Sequence, residues 1–414
     1  MSEQKHVIVI GAGIVGVSTA IWLRRAGCRV TLLDRAEPGQ GTSFGNGGVL
    51  AACAMVPVTS PGLMLKGPKL ALDPNFPLFL RWSYLPKLAP WLMRYLSHAN
   101  DKDTRRIAEG LTTIVADSVE QHRSLVDNTP AARFMNTSDY SFAYADRAAF
   151  DADSYVWELR KAAGFVPEIV EGAAVQEKEP AFGPAVTLLA VMKDHGYIAD
   201  PGNYVALLAR TFQEMDGTLV QAEVLDFEMN DGDVGAVITD QGRFDCDRAV
   251  LCTGVWSKAL AGKLGLKVPL ESERGYHVLF KNPTVSPRSP VMVAAGKFVA
   301  TPMEMGLRCA GVVEFGGLEA GPSKAPVKLL KKTVEQTFPE LQYSGTEEWL
   351  GHRPAPSDSL PLIGEIGRTG VFCAFGHHHI GLTGGPKTGR LIAGLISGEK
   401  PNEDLSAYDP NRFH

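Results

Sequence analysis

One stretch near the amino end constrains this chain more than any other. His6 to Ile10 is a short, β-branched apolar run, and it leads straight into Gly11-x-Gly13-x-x-Gly16. The run reads as a buried parallel strand, because a strand covered on both faces shows continuous apolar residues rather than alternation. Val17 to Ala26 then reads as a helix ended by Gly27, and Cys28 to Leu33 as a second buried strand closed by Asp34. Strand, turn, helix and strand in that order make the first βαβ unit of a doubly wound sheet. In such a unit the first glycine permits the tight turn, the second lets backbone approach a pyrophosphate, and the third lets the helix pack close to the strand. Asp34 stands 18 positions after Gly16, where a carboxylate can accept hydrogen bonds from ribose hydroxyls. A glycine-rich turn that binds nothing is the bland alternative, but strand, helix and acid at these spacings favour a dinucleotide. The motif alone does not separate FAD from NAD.

Three more stretches carry chemistry. Thr42-Ser43-Phe44-Gly45-Asn46-Gly47-Gly48 offers hydroxyls, an amide and glycines, which suit a loop close under a phosphate or a ring. A flexible surface loop is the alternative, and the apolar run Val49 to Ala52 argues against it. Val250 to Ser257 is a strand ending at a Thr253-Gly254 turn that feeds a helix, as at the ligand-binding end of an open α/β sheet. Near the carboxyl end stand Gly351-His352-Arg353-Pro354 and Gly376-His377-His378-His379-Ile380-Gly381-Leu382-Thr383-Gly384-Gly385-Pro386. A helix is expected to start near Lys387, and its free N–H groups could hold a negative ring. Three adjacent histidines suggest a metal, but neighbouring side chains on an extended segment point to opposite faces, so no metal site is expected.

The rest of the chain is read more coarsely. Trp82, Leu85, Leu88, Trp91, Leu92, Tyr95 and Leu96 recur near helical spacing, either as a face for a membrane or partner or as a helix packed on its own core. Asp103 to Val126 reads as one long amphipathic helix, Tyr155 to Ala163 as another, and Tyr204 to Met215 as a third that starts at Asp200-Pro201-Gly202. Between 278 and 314 several short runs suggest an antiparallel sheet. Six cysteines lack disulfide or metal spacing, and the amino end lacks the pattern of a signal peptide, so a cytoplasmic protein is expected. A formal net charge of −5 gives no basic excess for nucleic acid.

Taken in order, these motifs resemble the D-amino-acid oxidase superfamily of flavoproteins. Within it the chain is most similar to the DadA-type D-amino-acid dehydrogenases of bacteria, in a branch that includes D-hydroxyproline dehydrogenases. The resemblance implies an α/β fold in which a Rossmann-like FAD-binding domain (1–98, 190–265 and 348–414) is interleaved with an α+β substrate domain on an antiparallel sheet (99–189 and 266–347). It implies that Gly11, Gly13, Ile14, Val15 and Gly16 meet the pyrophosphate, and Asp34 and Arg35 the ribose end. Thr42, Ser43, Asn46, Gly47 and Gly48 would line the phosphates and flavin. Val224 would meet the adenine, and Thr253, Gly254 and Trp256 would border the cofactor. Gly376, His377, Ile380, Gly381, Leu382 and Thr383 would hold the flavin ring. Arg353 would grip a substrate carboxylate, with a guanidinium fork that suits it, and Tyr276, His352 and His378 would line the substrate pocket. The stretch after Arg353, Ala355-Pro356-Ser357-Asp358, has no cysteine, so non-covalent FAD is expected.

The implied reaction is hydride transfer from the α-carbon of an amino acid to the flavin, with no side chain assigned as acid or base. D-Proline or hydroxy-D-proline is one substrate class; the electron acceptor would be a quinone or a second subunit, with peripheral contact at the inner face of the membrane. Three other readings stay open: an oxidase using oxygen, an NAD-dependent dehydrogenase, and a non-catalytic FAD-binding subunit of a larger complex.

Overall fold

The computed structural model describes residues 4–64, 67, 73 and 75–413. Two sheets organise them. The first has six strands in the order Leu362–Glu365, Val371–Phe375, Arg248–Leu251, His6–Ile10, Arg29–Asp34 and Thr218–Gln221. All neighbours are parallel except the edge pair Leu362–Glu365 and Val371–Phe375. His6–Ile10 lies in the middle, buried on both faces, which is why it reads as an unbroken apolar run. The helix Ile14–Arg25 covers one face together with Pro201–Glu214 and Gly381–Ser397. A three-stranded meander, Val224–Asn230, Asp233–Thr239 and Gly242–Asp245, closes the other.

The second sheet runs Gly345–Pro356, Leu270–Lys281, Gly306–Phe315, Phe298–Met303, Val291–Val293, Met135–Tyr144, Leu188–Ile198 and Val49–Leu50, with Leu78–Leu80 and Glu168–Glu171 attached at its sides. It is antiparallel except where Val291–Val293 meets Met135–Tyr144 and where Gly306–Phe315 meets Leu78–Leu80. Val49–Leu50 ends the glycine-rich loop 42–48 and pairs with Leu188–Ile198, so this loop links the two sheets.

Several sequence expectations change here. Leu188–Ile198, assigned from residue 190 onward to the nucleotide-binding half, is hydrogen-bonded into the second sheet along Met135–Tyr144. Its apolar run abuts the helix start at Asp200, whose side chain caps Asn203, and the two elements blur in sequence. The reach from 103 to 126 is two helices, Asp101–Val115 and Ser118–Val126. The break places Asp117 where its carboxylate meets the Lys387 ammonium at 3.2 Å. The stripe from Trp82 to Leu96 becomes a short turn and the helix Leu85–Ser97, and Leu88, Trp91 and Tyr95 are buried against Ala355 and Phe315. Trp82 and Met93 stay outside, at 58% and 67% exposure.

The last helix begins at Gly381, six residues before the expected start, and runs through Pro386. Gly384-Gly385-Pro386 looks like a helix stop, because proline lacks the N–H that would bond the carbonyl four residues back. That carbonyl belongs to Leu382, and the His122 Nε2–H donates to it at 2.8 Å. The His122 Nδ1 accepts from the Tyr204 hydroxyl at 2.7 Å, so one buried imidazole bridges three helices. Burial pushes its pKa down to about 4, the Leu382 carbonyl pulling weakly the other way. No described helix is long and apolar enough to cross a membrane.

Candidate functional site

The glycine turn owes its shape to crowding. Gly11 has φ of 105°, and a Cβ there would lie 2.7 Å from the Cys252 carbonyl oxygen. A Cβ on Gly16 would collide with the Gly11 carbonyl oxygen, so the third glycine sets the helix against the strand as expected. The Asp34 carboxylate accepts from the Ala12 N–H at 2.6 Å and the Ala36 N–H at 2.9 Å, fixing both turns at the strand ends. The helix that follows has no side-chain cap of its own; the Ile14 N–H donates instead to Ser43 Oγ at 3.0 Å.

Loop 42–48 is pinned from the second sheet. Arg308, buried, donates to the Phe44 and Asn46 carbonyls at 2.9 and 3.1 Å, Thr301 to the Gly47 carbonyl at 2.6 Å, and the His277 Nδ1–H to the Gly45 carbonyl at 2.8 Å. Asn46 folds back, its Oδ1 accepting from the Gly48 N–H at 2.6 Å. Four carbonyls held in this way leave no freedom for a mobile surface loop.

Glycine turn, loop and carboxyl-terminal motif share one cavity of about 920 Å³, at the upper end of roughly 300–1,000 Å³ for small-molecule sites. Its wall holds Gly11, Gly13, Ile14, Val15, Asp34, Arg35, Thr42, Ser43, Asn46, Gly47, Gly48, Val224, Thr253, Gly254, Trp256, Gly376, His377, Gly381, Leu382 and Thr383, all expected cofactor contacts. Arg35 lies over the Trp256 ring at 4.6 Å. The start of Gly381–Ser397, also without a side-chain cap, faces the same space. Two helix starts whose N-cap residues supply no side-chain cap, on one elongated cavity, suit a ligand with phosphates at one end and an electron-rich ring at the other. Two expected contacts are not on the wall. Gly16 is spent on packing, and Ile380 is a core residue whose carbonyl accepts from the Gly384 N–H at 2.8 Å.

The substrate-pocket expectations divide. Arg353, 22% exposed, faces the cavity from Gly345–Pro356. His352 does not, because successive strand residues point to opposite faces; its Nδ1 meets Ser272 Oγ at 2.8 Å and its ring packs against Trp256. Tyr276 is on the wall, but its hydroxyl donates to Glu314 at 2.6 Å and accepts from the Ser323 N–H, so only its ring is free for a ligand. The three histidines diverge. His377 meets Thr388 Oγ1 at 2.9 Å, His378 meets Glu273 at 2.6 Å, and His379 opens into the cavity. The turn 376–380 is not extended, so it is bond partners rather than strand alternation that separate them. Burial lowers His377 to about 4.

Of the wall residues that the sequence reading did not single out, two bear on substrate charge. Glu273 stands directly across from Arg353 in the register of Leu270–Lys281 with Gly345–Pro356. Its Oε1 accepts from Arg353 Nη1 at 2.7 Å and its Oε2 meets His378 Nε2 at 2.6 Å. Burial works to raise the carboxyl, but His378 and Arg353 outweigh it and hold Glu273 ionised, well below the usual range. The second is Arg160, which packs over Phe142 and Trp157 at 4.4 and 4.7 Å and has no carboxylate partner among the described residues. Glu273 could have been flagged only by register, since its cross-strand partner lies 80 positions away; Arg160 sits in an ordinary amphipathic helix and carries no signal.

Known proteins agree with this geometry. The profile described as DAO, FAD dependent oxidoreductase, matches residues 6–395. A protein of Bradyrhizobium diazoefficiens named D-amino-acid oxidase is 38% identical over all of both chains. One of Paramagnetospirillum magneticum named D-amino acid dehydrogenase is 28% identical over 98% of each. Among solved structures, L-proline dehydrogenase from P. horikoshii superposes with a TM-score of 0.75 at 20% identity, covering 100% of this chain and 98% of the other. The cavity fits FAD, the fold is shared, and the chain belongs to the DAO family of FAD-dependent oxidoreductases.

Proposed function

We propose that this enzyme oxidises a D-amino acid at the α-carbon, with FAD held non-covalently. The observation that carries the reading is the Arg353–Glu273 pair on the wall of the cavity that the glycine turn and the carboxyl-terminal motif share. FAD supplies the hydride acceptor when bound. This chain supplies position and charge: the glycine turn and the start of Ile14–Arg25 meet the pyrophosphate, Asp34 and Arg35 the ribose end, and Gly376 to Thr383 the ring. Arg353 orients the substrate carboxylate, which fixes the α-carbon relative to the ring. The names of the relatives, D-amino-acid oxidase and D-amino acid dehydrogenase, support the substrate class.

Electrons then pass to a quinone or partner flavoprotein, and the exposed Trp82 and Met93 are the apolar residues that a membrane contact would use. Oxygen as acceptor is a second reading, favoured by the oxidase name of the relative at 38% identity. The test is anaerobic mixing of the yellow holoenzyme with D-alanine, D-proline and hydroxy-D-proline. Bleaching of the flavin band is expected with at least one; no bleaching with any D-amino acid would end the proposal. Oxygen uptake measured beside dye reduction separates the acceptors.

A further inference from the structure

The arginine expected to bind a carboxylate is already neutralised. Glu273 holds Arg353 Nη1 at 2.7 Å and is itself held by His378 at 2.6 Å. Leu270–Lys281 is buried along nearly its whole length, and a carboxylate kept ionised there must offset a large desolvation cost. The site retains it with some strain. His378 has φ of 50°, a region that non-glycine residues avoid, and its N–H donates to the Pro354 carbonyl at 2.9 Å beside Arg353. The charged and titratable groups around Glu273 are Arg353 from the neighbouring strand, His378 and His379 from the turn 376–380, and Tyr95 from the helix Leu85–Ser97.

We infer that Glu273 is the anchor for the substrate ammonium, so that Glu273 and Arg353 together recognise a zwitterion. The inference rests on the amino-acid reading above. A zwitterion presents its carboxylate to Arg353 and its ammonium to Glu273, and both charges stay paired in the binding complex; the ammonium then sheds one proton to solvent, since only the neutral amine can support hydride loss from the α-carbon. A plain carboxylate or a 2-hydroxy acid brings only the negative half and meets the Glu273 charge beside the guanidinium, so the pair selects against it. His378 acts as a positioning residue that fixes the carboxylate; of its roughly four lone-pair sites Arg353 and His378 take two, and the ammonium takes a third.

The test uses the holoenzyme and two probes. Propionate, a carboxylate without an amine, is titrated against the flavin spectrum; D-alanine is followed by the concentration dependence of anaerobic flavin reduction. In Glu273→Gln the amide keeps the shape of the side chain, its oxygen facing Arg353 and its N–H group facing His378. Propionate is expected to bind at least tenfold tighter than to wild type, and D-alanine to need at least tenfold more for half-saturation. Loss of affinity for both probes would make Glu273 a mere support for Arg353, and no change in either would remove it from the site; both results overturn the inference. If the Gln variant fails to hold flavin, Glu273→Ala is read the same way. In wild type, propionate must bind at least tenfold weaker than D-alanine, and equal affinity overturns the inference without any variant. If no amino acid reduces wild type but the Gln variant still gains propionate affinity, the amino-acid reading fails while the charge pairing stands.

Discussion

His122 gives the sharpest prediction. Its imidazole donates to the carbonyl orphaned by Pro386 and accepts from Tyr204, all inside the packed layer beneath the cavity. His122→Phe removes the donor and the acceptor together. A buried polar group left unmatched costs about 1–3 kcal/mol, so two cost about 2–6 kcal/mol at pH 7. His122→Gln can place its amide N–H near Leu382 and its oxygen near Tyr204, and should keep most of that stability. The two substitutions also differ from wild type in pH dependence. The ordinary pKa is 6.5 and the folded value about 4. Between these values the unfolded chain takes up a proton that the folded chain refuses, so the contribution is complete above pH 6.5 and is lost as pH falls. At pH 5 the loss is 1.5 units below 6.5, or about 2 kcal/mol. His277 and His377, also lowered to about 4, add slopes of the same sign, and these persist in both variants. The assay is urea unfolding of the holoenzyme at pH 7 and pH 5, followed by flavin release. Wild type should lose about 2 kcal/mol more than the Gln variant between the two. If the Phe variant unfolds at the urea concentration of wild type at pH 7, or if the Gln variant keeps the full wild-type pH dependence, the bridging role is refuted.

Three other outcomes follow from the site. Arg353→Met should raise the half-saturating concentration of the best amino acid by about 30-fold or more, as removal of a charge-assisted partner worth about 2–5 kcal/mol would, while Arg160→Met should leave it within threefold for an apolar substrate; steady-state kinetics reads both, and the reverse pattern would move the carboxylate to Arg160. Gly16→Val drives a Cβ into the Gly11 carbonyl, so the purified variant should be colourless and its flavin absorption should not return with added FAD. Acid precipitation of wild type should leave all the flavin in the supernatant, since the only cysteine on the described cavity wall, Cys252, lies at the glycine turn; yellow pelleted protein would mean a covalent link.

What could be read from the sequence was local. The turn at Gly11 to Gly16, the acid at Asp34 and the loop at Thr42 to Gly48 each carry their chemistry within a few residues, and each stands on the cavity wall or directly beneath it. Relations across the chain were hidden. Nothing near Pro386 says that an imidazole 264 positions earlier will replace its missing N–H, so the last helix was expected to begin too late. Glu273 looks like any acid in an alternating segment until the register sets it opposite Arg353. His352 and Arg353 are neighbours in one motif, and only the pleat separates the one against Trp256 from the one in the cavity.

The strand order has a consequence for the protein as it is made. His6–Ile10 waits between Arg29–Asp34 and Arg248–Leu251, and the wall of the cavity is finished only by Gly381–Ser397. A ribosome must therefore deliver almost the entire polypeptide before a nucleotide can be enclosed. During that interval the apolar faces of the first βαβ unit stand open to water with no cofactor to cover them. A nascent chain halted before residue 381 should be held by chaperones in a flavin-free state, however much FAD the cell contains.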